Sequence, residues 1–579
     1  MTEALKQGLG SVTIDEVKRE LAKRPLIRAV VSGMTTVATP AMKQAETSVV
    51  RFARDGRGRY RPLGNPERPC HREPFNEGQK AAVRDVLASR DRVTLIRGPA
   101  GTGKTTLEEE IGIALREVGV PVVALAQSNS AVDVLRKEAH FGDAETVARF
   151  LKDAKLQAEA MNGLVLVDEA SLLGTRDMRS MFELCEKLGA RVVLVGDTRQ
   201  NRAVAAGEPM RLLEERAGLK AAEVTEIVRQ GGDYARAAKA LSDGKTAEGF
   251  AALDGLGWIK EIPDGERYQA MANAYLATIR EKKADGKYKT ALAVSPTWAE
   301  ANRITQAIRA ELKTQDKPGK NKTGEKILSE ERPLNIWVPA HLTEPQKGDD
   351  AGWIGPGDLL KFHQNTKNYK NGARVEVTEG MKIPVESAKH FEVYRPAKLD
   401  VAVGDRIRYT ANGKTRDQKH GLRNGELATV QGFTAKGDLI VDHGWVISKD
   451  WGHIAHGYAV TSENSQGRTV EKVFVGLSSQ SFGAANERRF YVPATRGREQ
   501  AVIFTDDKDE LLKAVQKPDH PISALELADA SHRQSPLRQR LKRHLAFVRR
   551  LASFAQTHGG RKRHVQEITP IHQERRYVR

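Results

Sequence analysis

The sequence predicts an α/β chain in which parallel sheets are wrapped by helices, interrupted once by a β-rich insertion and followed by a basic helical tail. Three observations predict it. Short Val/Leu/Ile runs at 93–96, 121–126, 164–167 and 191–195 alternate with helical segments, as strands buried on both faces do. The last three runs end in polar clusters, which is where the ligands of parallel sheets bind. Residues 313–450 break the alternation with short β-like runs separated by glycines.

At 579 residues the chain exceeds one core, and roughly 100–200 residues per domain gives three or four domains. The net charge of +18 points to a polyanionic partner, nucleic acid first. Two cysteines, Cys70 and Cys185, exclude a disulfide framework and a thiolate metal site. Without a run of about 18 apolar residues or a signal-peptide pattern, the expectation is a cytoplasmic protein with no membrane insertion.

Taken in order, residues 12–26 carry helical periodicity, and the Arg/Gly-rich stretch 51–69 reads as a basic loop or linker. Gln79 opens the predicted helix 80–89, one helix upstream of a glycine loop; its amide suits the edge of an adenine, or an ordinary helix start. The loop is Gly98-Pro99-Ala100-Gly101-Thr102-Gly103-Lys104-Thr105, continued by Thr106 into a helix. Strand, glycine loop and helix in that order turn backbone N–H groups and a helix N-terminus onto a polyphosphate. Lys104 reaches the β- and γ-phosphates and Thr105 offers its hydroxyl to Mg²⁺, so the chain is expected to bind ATP with Mg²⁺.

The run 164–167 ends in Asp168 and Glu169. An aspartate there holds the water shell of Mg²⁺, and the neighbouring glutamate polarises an attacking water; a helix N-cap is the competing role. Asp197 and Gln200 follow the next strand, with Gln200 placed to sense the γ-phosphate. Arg229 reads as a surface residue or a transition-state arginine supplied in cis. A second αβ half starts near 270. Its strand at 290–294 leads through Thr297 into a helix at 299–312, where a phosphate contact and a simple helix entry compete. After the insertion the pattern resumes with 457–469 and 489–499, the latter read as a strand containing Pro493 and ending at Arg496. In the tail, thirteen Lys/Arg stand against two Asp/Glu over 531–579, and Leu537, Leu541, Leu545, Val548 and Leu551 fall at helical spacing.

In this order, the segments 75–79, 98–105, 167–171, 196–200, 228–230, 294–302, 403–408, 458–469 and 490–499 resemble those of a superfamily 1 DNA helicase. More narrowly, they are similar to the helicase half of conjugative relaxases of the TraI/TrwC (MobF) kind and their RecD-like relatives. The resemblance implies two RecA-like P-loop NTPase domains with ATP between them, a small SH3-like β-barrel insertion in the second, and 5′→3′ movement on single-stranded DNA. The expected division is 1–70 arm and linker, 71–245 first motor domain, 246–312 and 451–515 second motor domain, 313–450 insertion, and 516–579 tail. Lys104, Thr105, Asp168 and Glu169 then handle Mg-ATP, with Arg229 and Arg496 on the far wall. Ser128, Thr146, Thr297, Thr461, Ser465 and Gln466 are the implied DNA grips. No relaxase histidine cluster or nicking tyrosine is found in 1–70, so the chain is expected not to nick DNA alone. Glu463 stands where relatives often carry histidine, close to the grips. The leading expectation is an ATP-dependent DNA helicase or translocase in conjugative or mobile-element transfer, partnered by a relaxase and a type IV secretion coupling protein. The alternatives are a single-stranded-DNA recruitment module and a general RecD-like repair helicase.

Overall fold

Residues 13–71, 74–314, 329–348 and 352–534 are described by a computed structural model. The tail from 535 onward, including its leucine spacing, and most of the Lys/Gly-rich loop 313–326 lie outside the described residues. The chain divides into a large unit, residues 1–24 with 44–521, and a small one, residues 25–43 with 522–579.

The helix Ile14–Lys23 in the large unit begins with a capping box. Thr13 accepts from the Glu16 amide and the Glu16 carboxylate accepts from the Thr13 amide, satisfying two orphan donors at once. The Thr/Ala/Pro-rich passage after it folds as an antiparallel hairpin, β1 (Ile27–Val31) and β2 (Met34–Ala38). Its two turn residues, Ser32 and Gly33, both have positive φ, as a tight hairpin turn requires. In the small unit this hairpin packs against the helix Ala524–Gln534.

The first parallel sheet is built from β3 (Val93–Arg97), β4 (Val122–Ala126), β5 (Glu145–Thr146), β6 (Leu164–Asp168), β7 (Arg191–Gly196) and β8 (Ala222–Glu223). Their order is β5-β4-β6-β7-β3-β8, and every pairing is parallel. The apolar runs have no polar face to give to water, so helices must cover both sides. On one side Leu164, Leu166, Val193 and Val195 pack with Leu107 and Ile111 of the helix Lys104–Glu117 and with Val83 and Val86 of Glu77–Ala88. Each of these buried aliphatic side chains contributes about 2 kcal/mol.

The second parallel sheet contains β9 (Ile259–Glu261) and β10 (Ala291–Ser295), after which the insertion intervenes. The insertion is two antiparallel sheets rather than one. The first has the order β11-β14-β12-β13, from β11 (Ser329–Pro339), β12 (Leu359–Phe362), β13 (Arg374–Glu376) and β14 (Phe391–Val403). The second uses β15 (Arg406–Tyr409), β18 (Leu427–Phe433), β19 (Leu439–Val441), β20 (Val446–Ile447) and β21 (Ile454–His456), in the order β20-β19-β18-β15-β21. A short hairpin, β16 (Gly413–Lys414) with β17 (Gly421–Leu422), projects between β15 and β18. The long ribbon β11/β14 links the two sheets, since Leu334, Ile336 and Val401 lie in the core of the second. β21 lies past residue 450.

The chain then returns to the second parallel sheet with β22 (Ala459–Thr461), β23 (Val470–Gly476) and β24 (Gly497–Thr505), completing the order β22-β10-β23-β24-β9. One element differs from expectation. Residues 489–493 are not a strand but part of the helix Glu487–Ala494, with Pro493 inside its last turn. The Asn486 side chain accepts from the Arg489 amide and starts the helix; the apolar run Phe490-Tyr491-Val492 is buried by a helix packed between domains, which periodicity over five residues does not distinguish from a strand. Arg496 therefore follows a helix, not a strand end. Among the described residues no helix is long and apolar enough to cross a membrane.

Candidate active site

The glycine loop leaves β3 and enters the helix Lys104–Glu117 with Gly101 and Gly103 at φ 86° and 78°. A Cβ at Gly101 would stand 2.7 Å from the Arg229 Cβ, and one at Gly103 2.6 Å from the Gln79 amide nitrogen, so glycine is required twice over. Lys104 folds back and donates to the carbonyls of Gly98 (2.7 Å) and Pro99 (3.2 Å). Gln79 belongs to the loop's support. Its Oε1 accepts from the Asn76 amide within a capping box, and its Nε2 donates to the Thr102 carbonyl of the loop.

Asp168, at the end of β6, sits opposite the loop with its carboxylate accepting from the Glu169 amide at 2.7 Å. Burial and the adjacent Glu169 charge push its pKa up to about 6, against the pull of Lys104. Glu108 lies beside it, wholly buried, and burial followed by the Asp168 charge raises its pKa well above the carboxylate range. Sequence reasoning missed Glu108; the signal was its position four residues after Lys104, on the same helical face. Glu169 itself is in the left-handed region at φ 50°, and its Oε2 accepts from Gln466 Nε2 at 2.9 Å. Gln466, expected at the DNA, thus reaches across to the acidic pair.

The far wall comes from the helix Glu487–Ala494 and the residues after it. The Tyr491 hydroxyl accepts from the Ala100 amide and donates to Asp197, both at 2.9 Å, bridging the glycine loop and the end of β7. Gln200 donates to the same Asp197 carboxylate at 3.1 Å. Arg229 and Gln230 donate to the Thr495 carbonyl, while the amides of Val228 and Arg229 donate to Gly101 O. Arg496 is 2% exposed and donates to Val492 O and Thr495 Oγ1; burial lowers its pKa, against the opposing pull of Tyr491, Glu169 and Asp197. Burial and the neighbouring Arg496 hold Arg229 down at about 9. Tyr491 was hidden from sequence reasoning inside an apolar run.

The remaining grips fall on one pattern. Ser128 and Thr297 follow β4 and β10 while Thr146 and Thr461 end β5 and β22, and each accepts from a backbone amide in the first turn of the next helix. Ser128, Thr146 and Thr297 keep partial exposure, but Thr461 is buried. Ser465 is fully buried with its hydroxyl donating to Ser462 O, so it cannot face a phosphate. Glu463 is paired with Arg489 at 2.8 Å, which offsets its charge beside Thr461.

The loop, the acidic pair and the residues through Gln230 fall within one recognised segment. Residues 74–264 match the AAA domain family. Over 554 residues the chain is 26% identical to the multifunctional conjugation protein TraI of Escherichia coli K12, covering 84% of this chain and 31% of TraI. It therefore spans about a third of the length of that relative. Against the ATP-dependent RecD2 DNA helicase of Deinococcus radiodurans it is 34% identical over 159 residues, 26% of this chain and 21% of RecD2. Among solved structures, the Bacteroides Pif1 helicase in complex with ADP-AlF3 and ssDNA aligns with a TM-score of 0.42 at 14% identity, covering 80% of this chain and 98% of that one. The resemblance carried by the motifs is borne out by these similarities to TraI and RecD2.

Proposed function

We propose that the chain is an ATP-dependent DNA helicase or translocase moving 5′→3′ on single-stranded DNA, in conjugative or mobile-element transfer. The observation that carries the reading is the convergence at one glycine loop of Lys104, of Asp168 with Glu169 from the end of β6, and of Tyr491 from the helix Glu487–Ala494, whose hydroxyl bonds the Ala100 amide. The positive-φ glycines and the buried carboxylate beside Lys104 fit Mg-ATP: the amides of Gly98 to Thr106 with Lys104 would hold the triphosphate, and Thr105 with Asp168 the Mg²⁺. Bound there, ATP supplies a γ-phosphoryl group whose transfer to water releases the energy for movement. Glu169 orients that water and takes its proton, Gln200 reports the γ-phosphate through Asp197, and Arg229 and Arg496 balance the charge that develops.

On this reading the two parallel sheets are RecA-like motor domains, the β15-containing sheet is the SH3-like insertion, and the basic tail docks on the motor, grips phosphates or recruits a partner. Single-stranded DNA crosses the ends of β4, β5 and β10 at Ser128, Thr146 and Thr297. A relaxase and a type IV secretion coupling protein are the partners, in the cytoplasm. Strand displacement tests direction: a partial duplex with a 5′ single-stranded tail is unwound with ATP and its 3′-tailed counterpart is not. Unwinding of the 3′-tailed duplex alone would reverse the assignment.

A further inference from the structure

Three arginines on the face where the insertion meets the second parallel sheet have no carboxylate partner among the described residues. β15 alternates, so Ile407 and Tyr409 enter the insertion core while Arg406 and Arg408 point away from it. Arg468, just after the turn at Gly467, is close enough to both that their charges help burial to hold it down at about 10. Its guanidinium donates to the Gly425 carbonyl, and the buried Nε of Arg408 has no hydrogen-bond partner. Acids close by in the sequence are otherwise engaged: Asp405 pairs with Arg309 and accepts from Tyr458, and Glu426 accepts from the Arg423 amide. Partly buried, mutually repelling cations without counter-charges are costly unless an anion joins them.

Next to them stands an exposed aromatic. Trp298 opens the helix Trp298–Thr314 directly after Thr297, and is 40% exposed. The Arg408 guanidinium lies over its ring at 4.3 Å from the centroid. A cation on one face holds the indole in place and leaves an exposed side for a second flat group. The same insertion reaches the first parallel sheet's side of the molecule, where Arg423 pairs with Asp133 on the helix Asn129–Lys137 that Ser128 caps.

We propose that Trp298, backed by Arg408, is a stacking platform for an unpaired nucleobase, and that Arg406, Arg408 and Arg468 hold the phosphates beside it. The inference rests on the single-stranded-DNA reading above and adds to it a site shared between the motor and its insertion. Stacking is indifferent to base identity, and phosphate contacts carry no sequence information, so the site is a grip rather than a reader.

The test is equilibrium binding of a fluorescein-labelled oligo(dT), followed by anisotropy over a salt series, for the full chain and its variants. Trp298→Ala weakens binding about tenfold with the salt slope unchanged, because the lost contact is uncharged. Trp298→Phe recovers most of that loss. Arg468→Gln and Arg406→Gln weaken binding and each flatten the slope by about 0.7. Unaltered melting temperatures check that the variants are folded. Wild-type affinity and slope in Trp298→Ala and Arg468→Gln, while the wild type binds tightly, would overturn the platform and leave the DNA reading standing. A wild type that does not bind oligo(dT) at all would overturn both.

Discussion

Glu169 occupies a backbone conformation that costs a residue with a Cβ of order 1 kcal/mol or more, and it is held there by its own position after β6 and by Gln466. Strain retained beside a glycine loop fits a carboxylate aimed at a reacting group. Glu169→Gln is expected to keep nucleotide and DNA binding while turnover falls about 10²–10⁴-fold, measured by single-turnover hydrolysis. Wild-type turnover in that variant would remove Glu169 from its role. The placement of Lys104 and Thr105 at a helix start after a glycine loop, and of Asp168 at the end of a buried strand, was legible because the apolar runs and glycines mark those boundaries. Ser465 and Gln466 were misplaced as DNA grips because a motif's order does not say which side chain turns inward; burial of one and the reach of the other to Glu169 decide that. Glu108 was overlooked although its spacing from Lys104 was there to read. A run of three glutamates, Glu108 to Glu110, reads as a solvated helix face, yet all three are buried.

The helix Glu487–Ala494 shows what a whole element adds. Through Tyr491 it places a hydroxyl on the Ala100 amide, a donor that a bound triphosphate would also need. Tyr491→Phe frees that donor and unlinks it from Asp197. Nucleotide affinity without DNA should then rise about fivefold, the worth of one net hydrogen bond, in a fluorescent-nucleotide titration. Unchanged or weaker binding would mean that the hydroxyl does not compete with phosphate. The insertion carries a different prediction. His453 is fully buried between Tyr394 and Trp451, and burial, with Lys361 and Arg374 nearby, pushes its pKa down to about 3. The unfolded chain takes up a proton near pH 6.5, and the folded chain does not until far lower. The stability present above pH 6.5 is therefore lost as pH falls through that window. Thermal melts of His453→Phe should fall less between pH 7 and 5 than those of wild type; equal slopes would contradict this. The short strands of this region were legible from their glycine spacing. The β11/β14 ribbon was not, because its two strands are more than fifty residues apart and local pattern carries no information on that pairing.

For the molecule as a whole, two parallel sheets present their strand ends to a common set of contacts, with Tyr491, Arg229 and Gln466 crossing between them. The two-sheet plan was legible because a strand buried on both faces is apolar throughout. The interface was not, since its members are single polar residues whose partners lie about 260–390 positions away along the chain. If these contacts couple nucleotide to DNA, hydrolysis must respond to the strand. The most direct measurement is the steady-state ATPase rate with and without single-stranded DNA, at low and moderate salt, for wild type and Lys104→Ala. The account predicts strong stimulation by DNA, weakened by salt and abolished by Lys104→Ala. A rate indifferent to DNA, with DNA still bound, would contradict it.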